Sequence, residues 1–116
     1  MRIIGGRARG LTLAAVGAGD PAAHLRPTSD RVREAIFNLL INAHGNPVTG
    51  AIVLDLFAGT GALGLEALSR GAQSATFVDD GKPALALLRA NIAKMHAETE
   101  TRILRQDATR LPPNTA

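Results

Sequence analysis

The sequence has no cysteine, no tryptophan and no tyrosine, and its three phenylalanines bring the aromatic share to only 3%. Without cysteine there is no disulfide framework, no thiolate metal site and no cysteine nucleophile. The cytoplasm is therefore the expected compartment. So few aromatic rings argue against a stacking platform for single-stranded nucleic acid. No apolar run approaches the roughly 18–20 residues that span a bilayer, so no membrane partner is expected. The opening residues Met1-Arg2-Ile3-Ile4-Gly5-Gly6 lack the apolar core of a secretory signal.

The 116 residues are 46% apolar and 20% charged, the balance of one small globular domain or part of a larger one. The charge is unevenly divided. Residues 1–50 hold six Arg against three acids, whereas residues 51–116 hold seven bases against seven acids, so the whole net charge of +3 falls in the first part. Arg2, Arg7 and Arg9 have no acidic neighbour in the sequence there. A basic arm beside a neutral body suits a phosphate backbone, although three arginines also serve as an ordinary solvated surface.

Periodicity supplies the elements. Residues 2–4 and 7–13 are expected to form two short strands joined through Gly5-Gly6, because glycine provides the positive φ of hairpin turns. A small, Gly/Ala-rich linker over 14–24 and an extended Leu25-Arg26-Pro27 follow. Thr28 or Ser29 caps a helix whose apolar stripe is Val32, Ile36, Leu39 and Leu40, ending near 43–45. Residues 51–57 form a nearly continuous apolar run, predicted as a strand buried on both faces. The loop Ala58-Gly59-Thr60-Gly61 opens a second helix that stops at Arg70-Gly71. A strand over 74–78, a helix from Lys82-Pro83 with core positions Leu85, Leu88 and Ile92, and a strand over 101–104 complete the series. Strand and helix alternating in this way predict a parallel sheet in a doubly wound α/β fold.

Gly59-Thr60-Gly61-Ala62-Leu63-Gly64 satisfies G-x-G-x-x-G between a strand and a helix, and Asp79 lies twenty residues after Gly59 at the end of the next strand. That context is the one a ribose-binding nucleotide site requires; a tight turn without a ligand is the competing reading. Asp55, four residues before Gly59, discriminates between ligands. A pyrophosphate would face its carboxylate, and like charges at about 4 Å cost several kcal/mol at intermediate dielectric. S-adenosylmethionine instead carries an ammonium and a sulfonium, which a carboxylate attracts. Asp79 is suited to accept both ribose hydroxyls, and Asp107, just past the third strand, to accept from an adenine amino group. An Asp that merely ends a strand is the alternative for each.

The segment Asp55-Leu56-Phe57-Ala58-Gly59-Thr60-Gly61-Ala62-Leu63-Gly64-Leu65-Glu66-Ala67-Leu68-Ser69-Arg70-Gly71 resembles the first cofactor motif of the RsmD-type methyltransferases. Arg2-Ile3-Ile4-Gly5-Gly6-Arg7-Ala8-Arg9-Gly10 resembles that family's amino-terminal hairpin. Leu25-Arg26-Pro27-Thr28-Ser29-Asp30-Arg31-Val32-Arg33-Glu34-Ala35-Ile36-Phe37-Asn38 resembles its Arg-Pro-Thr helix. The resemblance implies a Rossmann-like fold and transfer of a methyl group from S-adenosylmethionine to the exocyclic N2 of a guanine in small-subunit ribosomal RNA. Transfer to another nucleic-acid amine such as adenine N6, a nicotinamide-binding fragment and a non-catalytic RNA-binding module are the alternatives.

It further implies that Asp55, Phe57, Ala58, Gly59, Gly61 and Asp79 bind the cofactor, that Asp107 contacts its adenine, and that Arg26, Pro27 and Thr28 line the cofactor side of the cleft, a purely helix-starting role for Pro27-Thr28 being the alternative. Arg2, Arg7 and Arg9 of the hairpin would engage the RNA. Residues 1–24 then read as hairpin and linker, and 25–116 as the amino-terminal part of the methyltransferase domain. The family more often has Glu where Asp79 stands. Its catalytic Asp/Asn-Pro-Pro-Tyr/Phe signature, which follows a fourth strand, has no counterpart here, because Leu111-Pro112-Pro113-Asn114 lacks both the polar residue before the prolines and the aromatic after them. The sequence is thus expected to be a truncated cofactor-binding half, without catalytic residues and inactive alone. It is also expected to expose the apolar edge of 52–57, and either to be only marginally stable or to self-associate through that edge.

Overall fold

The computed structural model describes residues 1–14, 29–56 and 58–106. Three parallel strands, β1 (Ile52–Leu56), β2 (Ser74–Asp79) and β3 (Thr101–Arg105), lie side by side in the order β1-β2-β3. Helix α1 (Asp30–Ala43) precedes the sheet, α2 (Ala62–Ser69) links β1 to β2, and α3 (Lys82–Lys94) with a short 3-10 turn links β2 to β3. The βαβαβ order is the expected one, and parallel pairing follows from helical crossovers between successive strands.

Each start has a local cause. The Ser29 side chain accepts a hydrogen bond from the Val32 N–H and caps α1. Pro83 in the first turn of α3 removes an N–H that has no intrahelical partner there. Gly71, after α2, takes φ +109, which a side chain would resist. The core lies between the helices and one face of the sheet: Leu65 and Leu68 of α2, Phe77 of β2, and Leu85, Leu88 and Ile92 of α3 are all buried, the last three as predicted.

Three expectations are corrected. Of the expected stripe on α1 only Leu40 packs against the core; Val32, Ile36 and Leu39 face solvent, with Leu39 58% exposed, while Arg33 and Phe37 are buried in their place. Arg33 turns inward because Glu66 and Asp30 receive its guanidinium, and the helix is rotated accordingly. Strand β1 is not buried on both faces: Ile52, Leu54 and Leu56, whose side chains share one face, are 77%, 57% and 42% exposed, since no described element packs over that face and β1 is an edge of the described sheet. The apolar edge is therefore open, as expected. Finally, the amino-terminal hairpin is a single antiparallel bridge, Arg2 to Thr12, flanked by backbone bonds from Ile3 to Leu11 and from Leu13 to Met1. Residues 5–10 form turns, because the backbone of Gly5, Arg7 and Ala8 bonds to α2 instead of to the facing arm.

Candidate functional site

The glycine loop sits where the carboxyl end of β1 meets the amino end of α2. Gly61 occupies the cap position of α2 at φ +84, and a Cβ there would come within 2.4 Å of Leu88 Cδ1 on α3. Gly64 has a different role. A Cβ at this position would lie 2.4 and 2.8 Å from ring atoms of Phe77, so its bare backbone lets α2 settle onto β2. A third glycine used for close helix–strand contact is one part of the nucleotide-binding fingerprint.

Two carboxylates converge on this turn. Asp79, the last residue of β2, accepts from the Gly59 N–H through Oδ2 (3.0 Å) and from the Gly81 N–H through Oδ1 (2.9 Å). It thereby ties the glycine loop to the loop that opens α3. Asp55 accepts from the Gly64 N–H at 3.2 Å. Burial pushes the Asp55 carboxyl up to about 6; the Gly64 N–H opposes this, and the negative charge of Asp79 adds to it. Asp55 also borders an apolar cleft of about 330 Å³ between α1 and β1, lined by Phe37, Leu40, Val48, Val53 and Leu63. The strand ends thus present acceptors and negative charge. This set suits hydroxyl donors and a cationic group and opposes a pyrophosphate. Among the described residues no cluster of His, Asp and Glu is arranged to hold a metal ion, and no helix is long and apolar enough to cross a membrane.

Asp55, Gly59, Gly61 and Asp79 are therefore brought together, with buried Ala58 beside them. Phe57, Asp107, Arg26, Pro27 and Thr28, and the linker from residue 15 onward, lie outside the described residues. Arg2 follows Met1, whose Sδ lies 3.8 Å from Thr60 Oγ1 of the glycine loop, whereas Arg7 and Arg9 are elsewhere. The Arg7 N–H donates to the Ser69 carbonyl and the Ala8 N–H to Ser69 Oγ, so the hairpin tip docks at the carboxyl end of α2. Eight residues of helix, about 12 Å, separate it from the glycine loop. Arg2, Arg7 and Arg9 are exposed, but Arg7 is not unopposed: its guanidinium pairs with Glu100 at 2.9 Å.

Buried polar residues hold this frame, and periodicity alone did not single them out. Glu66 accepts from the backbone of Ile4 and Gly5 and from the side chains of Arg33 and Arg70. Asn91 accepts from the Ala14 N–H and donates to the carbonyls of Ala14 and Thr60. The available signals were one acid inside the apolar helix 62–69 and one amide on the face of Leu85, Leu88 and Ile92.

A parallel βαβαβ unit with a glycine turn at the end of its first strand is a Rossmann-like α/β fold, and solved structures named as methyltransferases share it. The backbone superposes with a TM-score of 0.73 on the solved structure of yhhF from Escherichia coli, at 40% identity, covering 93% of this chain and 53% of that one. For a hypothetical protein of Thermus thermophilus the TM-score is 0.72 at 34% identity, covering 92% and 56%. The family described as "Conserved hypothetical protein 95" matches residues 1–116. Ribosomal RNA small subunit methyltransferase D of Escherichia coli is 44% identical over 97 residues, covering 84% of this chain and 45% of that protein. Its namesake in Haemophilus influenzae is 38% identical over 100 residues, covering 86% and 48%. The chain belongs to the RsmD-type methyltransferase family, and it spans about half the length of these relatives.

Proposed function

We propose that this chain is the cofactor-binding part of a methyltransferase that acts on the exocyclic N2 of a guanine in small-subunit ribosomal RNA, in the cytoplasm, with S-adenosylmethionine as methyl donor. The observation that carries the reading is the pair of carboxylates at the strand ends, Asp79 bridging Gly59 and Gly81 and Asp55 bonded to Gly64. Each Asp79 oxygen uses one acceptor position on a backbone N–H and keeps another for a ribose hydroxyl. Asp55 attracts the ammonium of the methionine moiety. Gly59 and Gly61 let the ligand approach the backbone, and by the family resemblance Phe57 and Ala58 also bind it. By the family resemblance Asp107 accepts from the adenine, and Arg26, Pro27 and Thr28 line the same cleft. When bound, the cofactor supplies a methyl group activated by its sulfonium.

Small-subunit ribosomal RNA is what the relatives' names give as their substrate, and the guanine N2 target is carried by the resemblance alone. Arg2 and Arg9 offer charges to phosphates, and Arg7 does so on leaving Glu100. The sequence supplies no Asp/Asn-Pro-Pro-Tyr/Phe signature, so residues 1–116 bind the cofactor without transferring its methyl group. Calorimetric titration of the chain with S-adenosylmethionine, and in parallel with NAD, tests the reading. Saturable binding of S-adenosylmethionine alone is expected. Binding of NAD alone, or RNA affinity in a folded chain that ignores S-adenosylmethionine, would overturn it.

A further inference from the structure

The glycine loop is held from behind by α3. Leu88 and Asn91, three residues apart on one face of that helix, both reach it. Leu88 Cδ1 occupies the space that a side chain at residue 61 would need. Asn91 Nδ2 donates to the Thr60 carbonyl at 2.8 Å. The same amide group bonds Ala14 twice, accepting its N–H at 2.6 Å and donating to its carbonyl at 3.0 Å. Asn91 has no exposed surface, and Thr60 is 3% exposed.

Those partners dictate the residue type. One backbone N–H and two carbonyls surround the side chain, so it must offer one acceptor and two donors at once, which a primary amide does. A carboxylate would repel both carbonyls, and an alkyl group would leave three backbone groups without this partner, the Thr60 carbonyl of them buried.

We infer that Asn91 is a positioning residue for the cofactor: it clamps the Thr60 carbonyl, and so the shape of the Gly59–Gly61 turn, to the residue-14 end of the amino-terminal arm. The peptide after Thr60 leads into Gly61 at φ +84, so fixing the Thr60 carbonyl fixes the direction of the next N–H at the mouth of α2. The inference rests on the cofactor reading above, but the clamp has a signature that needs no ligand.

The experiment compares the full chain with Asn91→Asp, Asn91→Ala and, as a core control away from the loop, Ile92→Val. Hydrogen exchange is followed at Gly61 and Leu65, whose N–H groups bond to the Ala58 and Gly61 carbonyls, and at β2 amides as the internal reference. Both Asn91 variants are expected to accelerate Gly61 and Leu65 relative to β2 and to weaken S-adenosylmethionine binding about tenfold, equivalent to about 1.4 kcal/mol. Ile92→Val is expected to do neither. Asn91→Ala serves where Asn91→Asp does not fold, since it removes the clamp without burying a charge. Uniform acceleration across α3 and β2, or unchanged cofactor affinity in a folded Asn91 variant, overturns the inference. Selective loosening of the loop in a chain whose parent binds no S-adenosylmethionine supports the clamp and overturns the cofactor reading instead.

Discussion

Arg33 of α1 and Glu66 of α2 meet at 3.2 Å, and neither side chain has any exposed surface. Glu66 is shared further, with Arg70 at 2.8 Å and with the N–H groups of Ile4 and Gly5. Arg33 also reaches Asp30 and the Arg2 carbonyl. One buried carboxylate therefore joins α1, α2 and the amino-terminal arm. Burial raises the Asp30 carboxyl, but the Arg33 hydrogen bond, the Arg2 N–H and the Arg33 charge outweigh it and hold that group below its ordinary value. Breaking a buried pair by removing one partner costs far more than the pair itself contributes. Glu66→Leu is expected to lower the unfolding free energy by about 3–5 kcal/mol, read from the urea midpoint, with Glu66→Gln falling between it and the parent.

Asp55 predicts a trade between stability and binding. Its carboxyl is raised from 3.8 to about 6 in the folded chain, so folding favours its protonated form. The stability tied to it is fully present below the unfolded value and is lost as pH rises through about 6. Asp55→Asn keeps an acceptor for the Gly64 N–H without the buried charge. It is expected to raise stability by roughly 1–2 kcal/mol at about pH 7.5 and to give no gain at about pH 4. The same variant is expected to weaken S-adenosylmethionine binding. Equal urea midpoints for parent and variant at the higher pH would show that Asp55 bears no burial cost.

Gly64 and Phe77 should behave as a pair. A methyl group at residue 64 falls 2.4 Å from the Phe77 ring, inside any real contact, so Gly64→Ala must push α2 off β2. Overpacking of this kind costs about 1–3 kcal/mol. Phe77→Leu removes the obstructing ring atoms, and the double variant is expected to be more stable than the sum of the single losses. A double-mutant cycle by denaturant unfolding measures that coupling, and strict additivity would contradict the packing account.

The open edge of β1 carries Ile52, Leu54 and Leu56, all well exposed. An apolar edge strand with free backbone groups invites pairing, and a charged side chain is the usual means of discouraging it. The parent chain is expected to sediment as a mixture that shifts with concentration, and Leu54→Lys as a monomer. Identical monomers across the concentration range would remove this prediction.

Most of the frame was legible in the sequence. The strands over 52–56, 74–79 and 101–105 and the helices opening at Ala62 and Lys82 follow from apolar runs, the glycine turn and Pro83. The placement of Asp55 and Asp79 around Gly59 and Gly64 follows from strand ends and spacing. The orientation of α1 was not legible, because an i, i+4 pattern counts apolar residues and gives a buried arginine no weight. Arg33 faces inward because Glu66, distant in sequence, meets it there together with Asp30. Asn91 was hidden for the same reason, its partners lying 31 and 77 residues away. The hairpin resolved into one bridge because α2 competes for its backbone groups, a competition no local pattern records.

The docking of the amino-terminal arm sets an order of events during synthesis. Ile4 bonds to a residue 62 positions later, Ala14 to one 77 positions later and Arg7 to one 93 positions later. The arm leaves the ribosome well before its partners and finds its place only after α2, α3 and the approach to β3 have emerged. Closing loops of this length carries an entropic cost that grows only slowly with length, so the penalty is chiefly delay. Until then Ile3 and Leu13, buried in the finished fold, stay in water, and the newborn chain is most open to interception at this arm.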